Sequence, residues 1–234
     1  MIELVVFDMA GTTVDEDNVV YKTVREAVNA AGYSFTQTQV QAAGAGKEKS
    51  QAIRDVLSLD GESHDSHEID LIFSNFKKLL AVAYQRLRVT EQPGATAVFS
   101  ALRQQGVKVA LNTGYDRPTA ECLIKKLGWM EGSDYDVLIT ASDVEHGRPA
   151  PDMIFLAMKK TNVTDASRVA KVGDSEVDIE EGKNSGCGVT VGITTGAQTR
   201  EQLAHANPTA IIDSLEELLD MLKMNEPSGN TPST

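Results

Sequence analysis

Short apolar strands alternate with helices over most of the chain, and this order restricts the fold more than any other feature. Strands are predicted over residues 2–7, 107–111, 137–140, 169–172, 188–193 and 210–212 from their content of branched and aromatic residues. Helices are predicted over 95–104, from Pro118, from Pro151, over 179–184 and over 215–222. Because helices between strands act as crossover connections, this order predicts a doubly wound α/β fold with a parallel sheet.

Polar residues stand at the ends of three predicted strands. Asp8 follows the first strand, Thr113 lies just beyond the second, and Asp174 comes after the strand at 169–172. In open parallel sheets, ligands bind outside the carboxyl ends of the strands. These three residues are therefore predicted to line one site.

A helical segment separates the first strand from the others. Between residues 15 and 90 the apolar residues recur at helical spacing, and the pattern contains no convincing strand. Examples of this spacing are Val20, Val24 and Val28. We expect a helical cap over 15–90, inserted into a core formed by residues 1–14 and 91–225.

The composition is that of a globular protein with a strong negative charge. Hydrophobic residues make up 41% of the 234, and the net charge is −12 at pH 7. This charge opposes nucleic acids and anionic membranes, so neither is expected as a partner. The sequence contains no signal peptide or membrane span, which favours a cytoplasmic protein, and it leaves a homodimer open.

Several smaller features have structural interpretations. The tail, 226–234, is rich in Pro, Ser, Gly and Thr, which predicts disorder. Cys122 and Cys187 are predicted to be buried free thiols. Asp15 and Asp116 are predicted to cap helices, and the four histidines to lie on the surface.

Four segments, in chain order, resemble the four motifs of the haloacid dehalogenase superfamily. They are residues 8–13 (DMAGTT), 112–114 (NTG), 148–152 (RPAPD) and 173–179 (GDSEVDI). One such segment carries little weight, whereas with four in the correct order the chain is identified as a member of this superfamily. The resemblance covers nearly the whole chain and implies a Rossmann-like core with an inserted all-helical cap.

The resemblance implies covalent catalysis at Asp8. A carboxylate that attacks phosphorus forms an aspartyl-phosphate and divides hydrolysis into two easier steps. Because the attack brings negative charges together, a Mg²⁺ ion is implied, with ligands from Asp8, the backbone carbonyl of Ala10, and Asp174.

Further motif residues are implied to hold the substrate. Thr113 supplies a hydroxyl, Gly114 a backbone amide that approaches closely, and Arg148 a fixed cation with several donors. Tyr115 is implied to have an active-site position, although packing at the start of a helix is an equally good interpretation. Asp178 is implied to orient Arg148 or the waters of the metal ion.

Two departures from the common pattern point to a narrower family. Most phosphatases of the superfamily carry a second aspartate two residues after the nucleophile, which protonates the leaving oxygen, and this chain has Ala10 there. The third motif usually carries a lysine, and this chain has Arg148. Both departures, together with Thr113-Gly114-Tyr115, resemble the phosphonoacetaldehyde hydrolase (phosphonatase) family.

In the phosphonatase family the leaving group is carbon, and a cap lysine accepts its electrons through a Schiff base with the substrate aldehyde. The family's lysine stands three residues after a glycine, as Lys49 stands after Gly46, so Lys49 is the catalytic candidate. Lys47 is a competitor, but it points to another face of a helix. The chain departs from the family at Ala45, which replaces a methionine, and at Ala52, which replaces a histidine.

These features predict a Mg²⁺-dependent hydrolase that cleaves a carbon–phosphorus bond in phosphonoacetaldehyde or a related 2-oxoalkylphosphonate. The alternative is a phosphate monoesterase of the same superfamily that acts on a small phosphorylated metabolite. A metal-free dehalogenase, in which Asp8 attacks carbon, is disfavoured by Asp174 and Asp178. A phosphate-binding protein without catalysis stays open because the second aspartate is missing.

Overall fold

The computed structural model describes residues 1–45 and 47–224, so the tail at 226–234 and Gly46 lie outside the described residues. The strands are β1 (Leu4–Asp8), β2 (Val14–Asp15), β3 (Thr90–Glu91), β4 (Lys108–Thr113), β5 (Val137–Thr140), β6 (Val169–Gly173), β7 (Val189–Ile193) and β8 (Ala210–Ile212). In this part of the chain, six of them form one parallel sheet in the order β5-β4-β1-β6-β7-β8. The predicted parallel sheet is confirmed.

The helices follow the predicted alternation in the second half of the chain. They are α1 (Val19–Ala30), α2 (Gln37–Gly44), α3 (Lys49–Leu57), α4 (Ser66–Arg86), α5 (Ala95–Gln104), α6 (Arg117–Leu127), α7 (Asp152–Thr161), α8 (Glu176–Asn184), α9 (Arg200–His205) and α10 (Glu216–Met224). Helix α9 was missed by the sequence analysis because its six residues are too few to show a helical period. Among the described residues, no helix combines the length and the apolar character needed to cross a bilayer.

Helices cover both faces of the sheet. Val5 and Phe7 of β1 belong to an apolar core that contains residues of α5 and α6, whereas Leu4 and Val6 belong to a second core that contains Ile154 of α7. Every residue of β1 is buried, which explains why the strand is apolar throughout instead of alternating. The doubly wound architecture is confirmed.

The helical insertion is joined to the core by a short pair of strands. Strands β2 and β3 are antiparallel, with Val14 opposite Glu91 and Asp15 opposite Thr90. Helices α1–α4 lie between them in the chain, which confirms a helical insertion. The paired strands were missed because two residues show no period, and the exact cap boundaries stay a prediction.

Apolar residues at helical spacing hold the cap together. Val20, Val24 and Val28 of α1 are fully buried, and α4, which packs against α1, buries Phe76 and Leu80. The burial of one face of each helix is what stabilises an amphipathic helix in a protein.

A core lysine binds the end of the cap. The Nζ atom of Lys126 in α6 donates to the carbonyl oxygens of Tyr84 and Leu87, at 2.6 and 2.9 Å. These carbonyls lie at the carboxyl end of α4, where a positive charge is favourable. The cap is therefore docked on the core at this point.

Several minor predictions are decided by the structure. Asp116 caps α6, as predicted, by accepting a backbone N–H of the first turn at 3.0 Å. The prediction for Asp15 is wrong, because it lies in β2 and its carboxylate accepts the N–H of Asp17 instead. Cys122 and Cys187 are free thiols, but Cys122 is exposed and Cys187 is only half-buried, where two buried residues are predicted.

The prediction of a surface position is wrong for His64. Its ring lies 3.0 Å from Asp60 and 3.2 Å from Glu68, and only 9% of the side chain is exposed. Tyr33 donates to Glu68 at 2.5 Å, so these contacts tie the loop before α4 to the end of α1.

Gly182 lets α8 approach the sheet closely. A Cβ atom at this position would lie 2.7 Å from Cγ2 of Thr190 and 2.8 Å from Cβ of Lys171, which is closer than van der Waals contact allows. Helix α8 also carries Asp178 and Glu181, which face Lys171. Gly182 therefore sets how closely two acidic side chains approach the strand.

We expect Gly182→Ala to lower the free energy of unfolding by about 1–3 kcal/mol, because the added methyl group overpacks this contact. The sign is informative, since alanine is intrinsically better than glycine in a helix by roughly 1 kcal/mol. Urea unfolding followed by circular dichroism measures the change. Gly147→Ala is the control, because no atom lies within 4 Å of a Cβ built there. A Gly182→Ala protein as stable as the wild type would contradict this account.

Candidate active site

The carboxyl ends of three neighbouring strands bring the predicted site residues together. Strands β4, β1 and β6 are adjacent, and Asp8 stands opposite Asn112 in the register of β1 and β4. Asp8 ends β1, Thr113 ends β4, and Asp174 follows β6. All three residues are buried. The predicted convergence at this edge is what the structure has.

Buried carboxylates form a cluster at this edge. One oxygen each from Asp8, Asp174 and Asp178 lies within 4.8 Å of the others. Burial raises the pKa of Asp8, and burial together with the charge of Asp8 raises the pKa of Asp174 well above its ordinary value. Carboxylates that repel one another in a buried place favour a cation between them, and oxygen donors suit a hard ion. The cluster could therefore hold a metal ion.

Asp178 is already engaged with protein cations. Its Oδ1 atom lies 2.9 Å from Nη1 of Arg148 and 3.0 Å from Nζ of Lys171. Burial alone would raise the pKa of Asp178, but the charges of these two residues outweigh it and lower the value. Asp8 and Asp174 are thus better placed as metal ligands, and Asp178 as a residue that positions Arg148.

The carboxylate of Asp174 lies in a cradle of backbone. The Ala197 N–H donates to its Oδ2 atom at 2.6 Å, and Gly11 and Gly196 pack so closely that neither position has room for a Cβ atom. Gly11 also has a φ of 85°, which favours glycine. The first motif needs its glycine because the nucleophile's loop crosses directly over Asp174.

Arg148 reaches the candidate nucleophile directly. Its Nη1 atom lies 2.7 Å from Oδ1 of Asp8, its Nε atom 3.1 Å from Oε2 of Glu181, and its Nη2 atom donates to the Asn112 carbonyl at 2.8 Å. Burial acts to lower its pKa, but the charges of Asp178, Asp8 and Glu181 raise it above its already high value. Arg148 is therefore a permanent cation beside Asp8.

Lys171 is a second buried cation that the sequence analysis missed. Its Nζ atom lies 2.6 Å from Oδ1 of Asn112, 3.0 Å from Oδ1 of Asp178 and 3.1 Å from Oε2 of Glu181. A lysine inside the apolar strand VAKVG could have signalled it, because lysines are seldom buried unless they are paired. The corresponding signal for Glu181 is its position one turn after Asp178 on α8, which brings the two acids to the same face of the helix.

The loop after β4 carries the other predicted substrate-binding residues. The Thr113 hydroxyl accepts the N–H of Tyr115 at 3.2 Å. Gly114 and Tyr115 line a cavity of about 280 Å³ between cap and core, together with Lys49. The Tyr115 hydroxyl donates to Glu16 at 2.8 Å, which favours its active-site interpretation over packing alone.

Ala10 presents only a methyl group beside the carboxylate cluster. It is half-buried and lines a second cavity, of about 230 Å³, with Asp174 and Glu16. Its side chain can neither give nor accept a proton. Any acid or base for this site must come from another residue or from the substrate.

The amine of Lys49 is buried under the cap. The residue is 7% exposed, and its Nζ atom donates to the Lys47 carbonyl at 2.7 Å and to the Tyr21 hydroxyl at 3.3 Å. Burial lowers the pKa of Lys49 to about 8, although the charges of Glu16 and Asp8 act in the opposite direction. The amine therefore lies within the electrostatic reach of the candidate nucleophile instead of on the outer face of the cap.

The local structure separates Lys49 from its competitor. Lys49 is the first residue of α3, and Glu48 caps this helix by accepting the N–H of Ser50 at 2.9 Å. The amino end of a helix disfavours positive charge, which further favours a neutral amine there. Lys47 is paired with Asp55, and 35% of its side chain is exposed.

Glu16 is a buried carboxylate that the sequence analysis also missed. It follows β2 directly, is 4% exposed, and accepts hydrogen bonds from Tyr84 at 2.6 Å and Tyr115 at 2.8 Å. No local pattern marks it, because its partners lie 68 and 99 residues away in the chain.

Comparison with protein families decides the assignment. Residues 2–186 match the family model of haloacid dehalogenase-like hydrolases. The chain belongs to this family. Three residues of the family motifs found along the sequence, Asp8, Thr113 and Asp174, lie together at one edge of the sheet.

The curated relatives of this hydrolase narrow its place in the family. The phosphonoacetaldehyde hydrolase of Latilactobacillus sakei is 30% identical over 204 residues, covering 82% of this chain and 75% of that protein. The enzyme of the same name from Lactiplantibacillus plantarum is 31% identical over 213 residues, covering 84% and 77%. The chain is therefore a phosphonatase-related haloacid dehalogenase-like hydrolase.

Solved structures agree with this placement. The crystal structure of a phosphonoacetaldehyde hydrolase-like protein from Oleispira antarctica has a TM-score of 0.80 at 27% identity, covering 95% of this chain and 92% of that one. A hydrolase from Pseudomonas syringae has a TM-score of 0.82 at 19% identity, covering 96% and 100%, and shares the fold.

We expect Mg²⁺ to stabilise the hydrolase, because it relieves the repulsion between Asp8 and Asp174. At about a hundred times its dissociation constant, the ion should add roughly 2.7 kcal/mol to the unfolding free energy, or about 5–10 °C in Tm for a chain of this size. Asp174→Asn should be at least as stable without Mg²⁺ and should lose most of the shift. Differential scanning calorimetry measures both quantities.

Asp70→Asn is the matched control for the metal prediction, since Asp70 is an exposed carboxylate of α4. This variant should show the same increase in Tm on addition of Mg²⁺ as the wild type. Equal shifts in the wild type and in Asp174→Asn would show that the ion binds elsewhere.

Proposed function

We propose that this hydrolase cleaves the carbon–phosphorus bond of a 2-oxoalkylphosphonate, either phosphonoacetaldehyde or a ketone relative. The reaction proceeds through an aspartyl-phosphate on Asp8 and a Schiff base on Lys49. The observation that carries the proposal is the buried Lys49 amine, on which the charge of Asp8 acts, together with Ala10, which offers no acid beside Asp8. The names of the curated relatives support the same reaction.

The core residues bind and attack the phosphonate group. The Asp8 carboxylate attacks phosphorus while Arg148, 2.7 Å from it, binds the phosphonate oxygens. The Thr113 hydroxyl and the Gly114 amide are placed to bind the remaining oxygens. Asp8, the Ala10 carbonyl and Asp174 would hold a Mg²⁺ ion, which would supply positive charge that offsets the charge of the substrate.

Lys49 gives the electrons of the broken bond a place to go. Its neutral amine condenses with the substrate carbonyl, and a protonated imine forms. When phosphorus passes to Asp8, the electron pair of the carbon–phosphorus bond moves to carbon, and the iminium nitrogen accepts the displaced π electrons to give an enamine. The lowered pKa of Lys49, about 8, keeps a useful fraction of the amine neutral near pH 7.

Ala10 fits this chemistry better than the hydrolysis of a phosphate ester. An ester releases an alkoxide-like oxygen, which needs a proton donor beside the nucleophile. A carbon leaving group conjugated to an iminium needs no proton at the moment of bond cleavage. A methyl group at position 10 is therefore compatible with the phosphonate reaction and costly for the ester reaction.

The cavity beside Lys49 favours a carbon substituent on the carbonyl group. In the imine, every substituent of the carbonyl carbon lies within a few bonds of Nζ. Apolar and aromatic residues of α4 line the 280 Å³ cavity, whereas the hydrogen of an aldehyde needs no such space. These residues are Phe73, Phe76, Leu80 and Tyr84. An alkyl or aryl ketone would bury its substituent there.

We expect borohydride reduction in the presence of phosphonoacetaldehyde to attach the substrate to Lys49, as read by peptide mass spectrometry. Lys49→Arg should abolish this adduct and lower Mg²⁺-dependent phosphate release by at least about a thousandfold, because the Schiff base supplies the electron acceptor. Lys47→Arg is the matched control and should keep both, since its amine pairs with Asp55.

Phosphate release by Lys49→Arg at the wild-type rate would defeat the Schiff-base role. Turnover of phosphate esters by the wild type, with none of any phosphonate, would establish the phosphate monoesterase instead.

We expect kcat/KM to be higher for 2-oxo-2-phenylethylphosphonate than for 2-oxopropylphosphonate by about ten- to a hundredfold, because the ring buries more apolar surface. Ala81→Phe, at the edge of the cavity, should reverse this preference while leaving phosphonoacetaldehyde turnover within about twofold. Val82→Phe, at an exposed position of the same helix, is the control. If Ala81→Phe slows all three substrates equally, the cavity is an entrance and not a substituent site.

A further inference from the structure

Glu16 is a buried acid to which the reaction described above gives no task. It stands at the junction of cap and core, directly after β2. Its Oε2 atom accepts the Tyr84 hydroxyl at 2.6 Å and its Oε1 atom accepts the Tyr115 hydroxyl at 2.8 Å. Two fixed donors, one from the cap and one from the core, hold the carboxyl group in a single orientation.

Glu16 lies between the two cavities of the site. It lines the cavity that contains Ala10 and Asp174, and its partners Tyr84 and Tyr115 line the one that contains Lys49. Among the neighbouring charges, that of Glu16 acts most strongly to raise the pKa of Lys49. The Nζ atom of Lys49 also lies 5.7 Å from the centre of the Tyr115 ring, and the hydroxyl of that ring donates to Glu16. The carboxyl group is therefore the acidic neighbour of the amine at this junction.

The surroundings bring the proton affinities of the two groups close together. A lysine and a glutamate ordinarily have pKa values of 10.5 and 4.5, whereas burial lowers the pKa of Lys49 to about 8 and raises that of Glu16 to about 7. Groups with nearly matched pKa values exchange a proton at little cost. Burial and the charge of Glu16 raise the pKa of Tyr84 and Tyr115 well above 10, so both stay hydrogen-bond donors.

Other groups nearby also change the pKa values of Glu16 and Lys49. Hydrogen bonds from Tyr84 of α4 and Tyr115 after β4 lower the pKa of Glu16, and so does the positive charge of Lys49 of α3. Lys49 is affected in addition by Asp8, Arg148 and Glu48, which partly offset one another. Asp8 and Glu48 raise the pKa of Lys49, and Arg148 lowers it.

We propose that Glu16 transfers the protons needed to form and hydrolyse the Schiff base on Lys49, with Tyr84 and Tyr115 positioning its carboxyl group. This inference rests on the proposed function. The two positions at which related enzymes carry an acid or a histidine hold Ala10 and Ala52 in this chain, and both have only methyl groups. The methyl group of Ala52 is fully buried and faces Gly44.

The step balances with the groups that are present. The neutral Lys49 amine attacks the carbonyl carbon, the π pair moves to oxygen, and a proton passes from nitrogen to that oxygen. The protonated Glu16 carboxyl then gives its proton to the hydroxyl as the carbon–oxygen bond breaks. Water leaves, the nitrogen lone pair forms the carbon–nitrogen double bond, and the Glu16 carboxylate remains beside the iminium cation. In the hydrolysis of the product iminium, the carboxylate takes a proton from the attacking water and then gives it to the nitrogen of the carbinolamine. The carbon–nitrogen bond breaks as the hydroxyl proton passes back to the carboxylate, which leaves the carbonyl product, the neutral Lys49 amine and the protonated Glu16 carboxyl.

The test measures imine formation apart from phosphorus chemistry. The enzyme is mixed with phosphonoacetaldehyde and cyanoborohydride without Mg²⁺, and the rate at which the Lys49 peptide gains mass is followed from pH 5.5 to 9.5. We expect a bell-shaped profile for the wild type, because the reaction needs a neutral Lys49 amine and a protonated Glu16 carboxyl group at the same time. Glu16→Gln should slow trapping by about a hundredfold and should convert the bell into a curve that rises to a plateau.

Glu48→Gln is the matched control. It removes a charge that also acts on Lys49 and retains an oxygen that can cap α3. It should trap within about twofold of the wild-type rate and keep the bell-shaped profile, because Glu48 is assigned no proton transfer.

Tyr84→Phe tests the same idea without removing the carboxylate, which covers the case in which Glu16→Gln does not fold. Loss of this hydrogen bond raises the pKa of Glu16, so the pH optimum of trapping should move upward. Wild-type trapping rates and an unchanged bell in Glu16→Gln, or an unmoved optimum in Tyr84→Phe, would overturn the inference and leave the proposed function intact. No trapping in the wild type would instead defeat the proposed function itself.

Discussion

Repulsion between buried carboxylates is the constraint on which the active site depends. The parallel sheet brings acidic residues from two strand ends and from α8 to one place, away from water. Two protein cations join them, so when all four acids are ionised, four negative charges against two positive charges leave two negative charges. The acids are Asp8, Asp174, Asp178 and Glu181, and the cations are Arg148 and Lys171. A divalent cation has the charge that completes this balance, so the same arrangement that strains the isolated protein prepares it for a metal ion.

The site divides its chemistry between two units with different electrostatics. The core supplies fixed charges around Asp8, at which the proposed attack on phosphorus takes place. The cap supplies groups whose protonation is finely balanced, because Lys49 and Glu16 are buried and, among the described residues, neither has a permanent counterion in hydrogen-bond contact. Fixed charge suits phosphoryl transfer, and balanced protonation suits the making and breaking of an imine.

The parts of this arrangement that follow from local pattern could be predicted, and the parts that follow from long-range pairing could not. Asp8, Thr113 and Asp174 were found because the ends of parallel strands share an edge whatever the details of packing. Lys171 and Glu16 were missed because their partners are distant in the chain. Asn112 and Glu181 belong to the same network and were missed for the same reason, and the short strands that join cap and core have no period to detect. Lys49 was found through its spacing from a glycine, but its burial depends on how the cap docks.

The antiparallel pair of β2 and β3 places the outgoing and returning chain side by side, so the cap is attached along a single narrow axis. Glu16 directly follows β2, whereas Lys49 begins α3, two helices further along the chain. Any swing of the cap would leave the acid almost stationary and carry the amine through an arc. The pair of β2 and β3 thus acts as a pivot that keeps Glu16 fixed relative to the core while Lys49 moves with the cap.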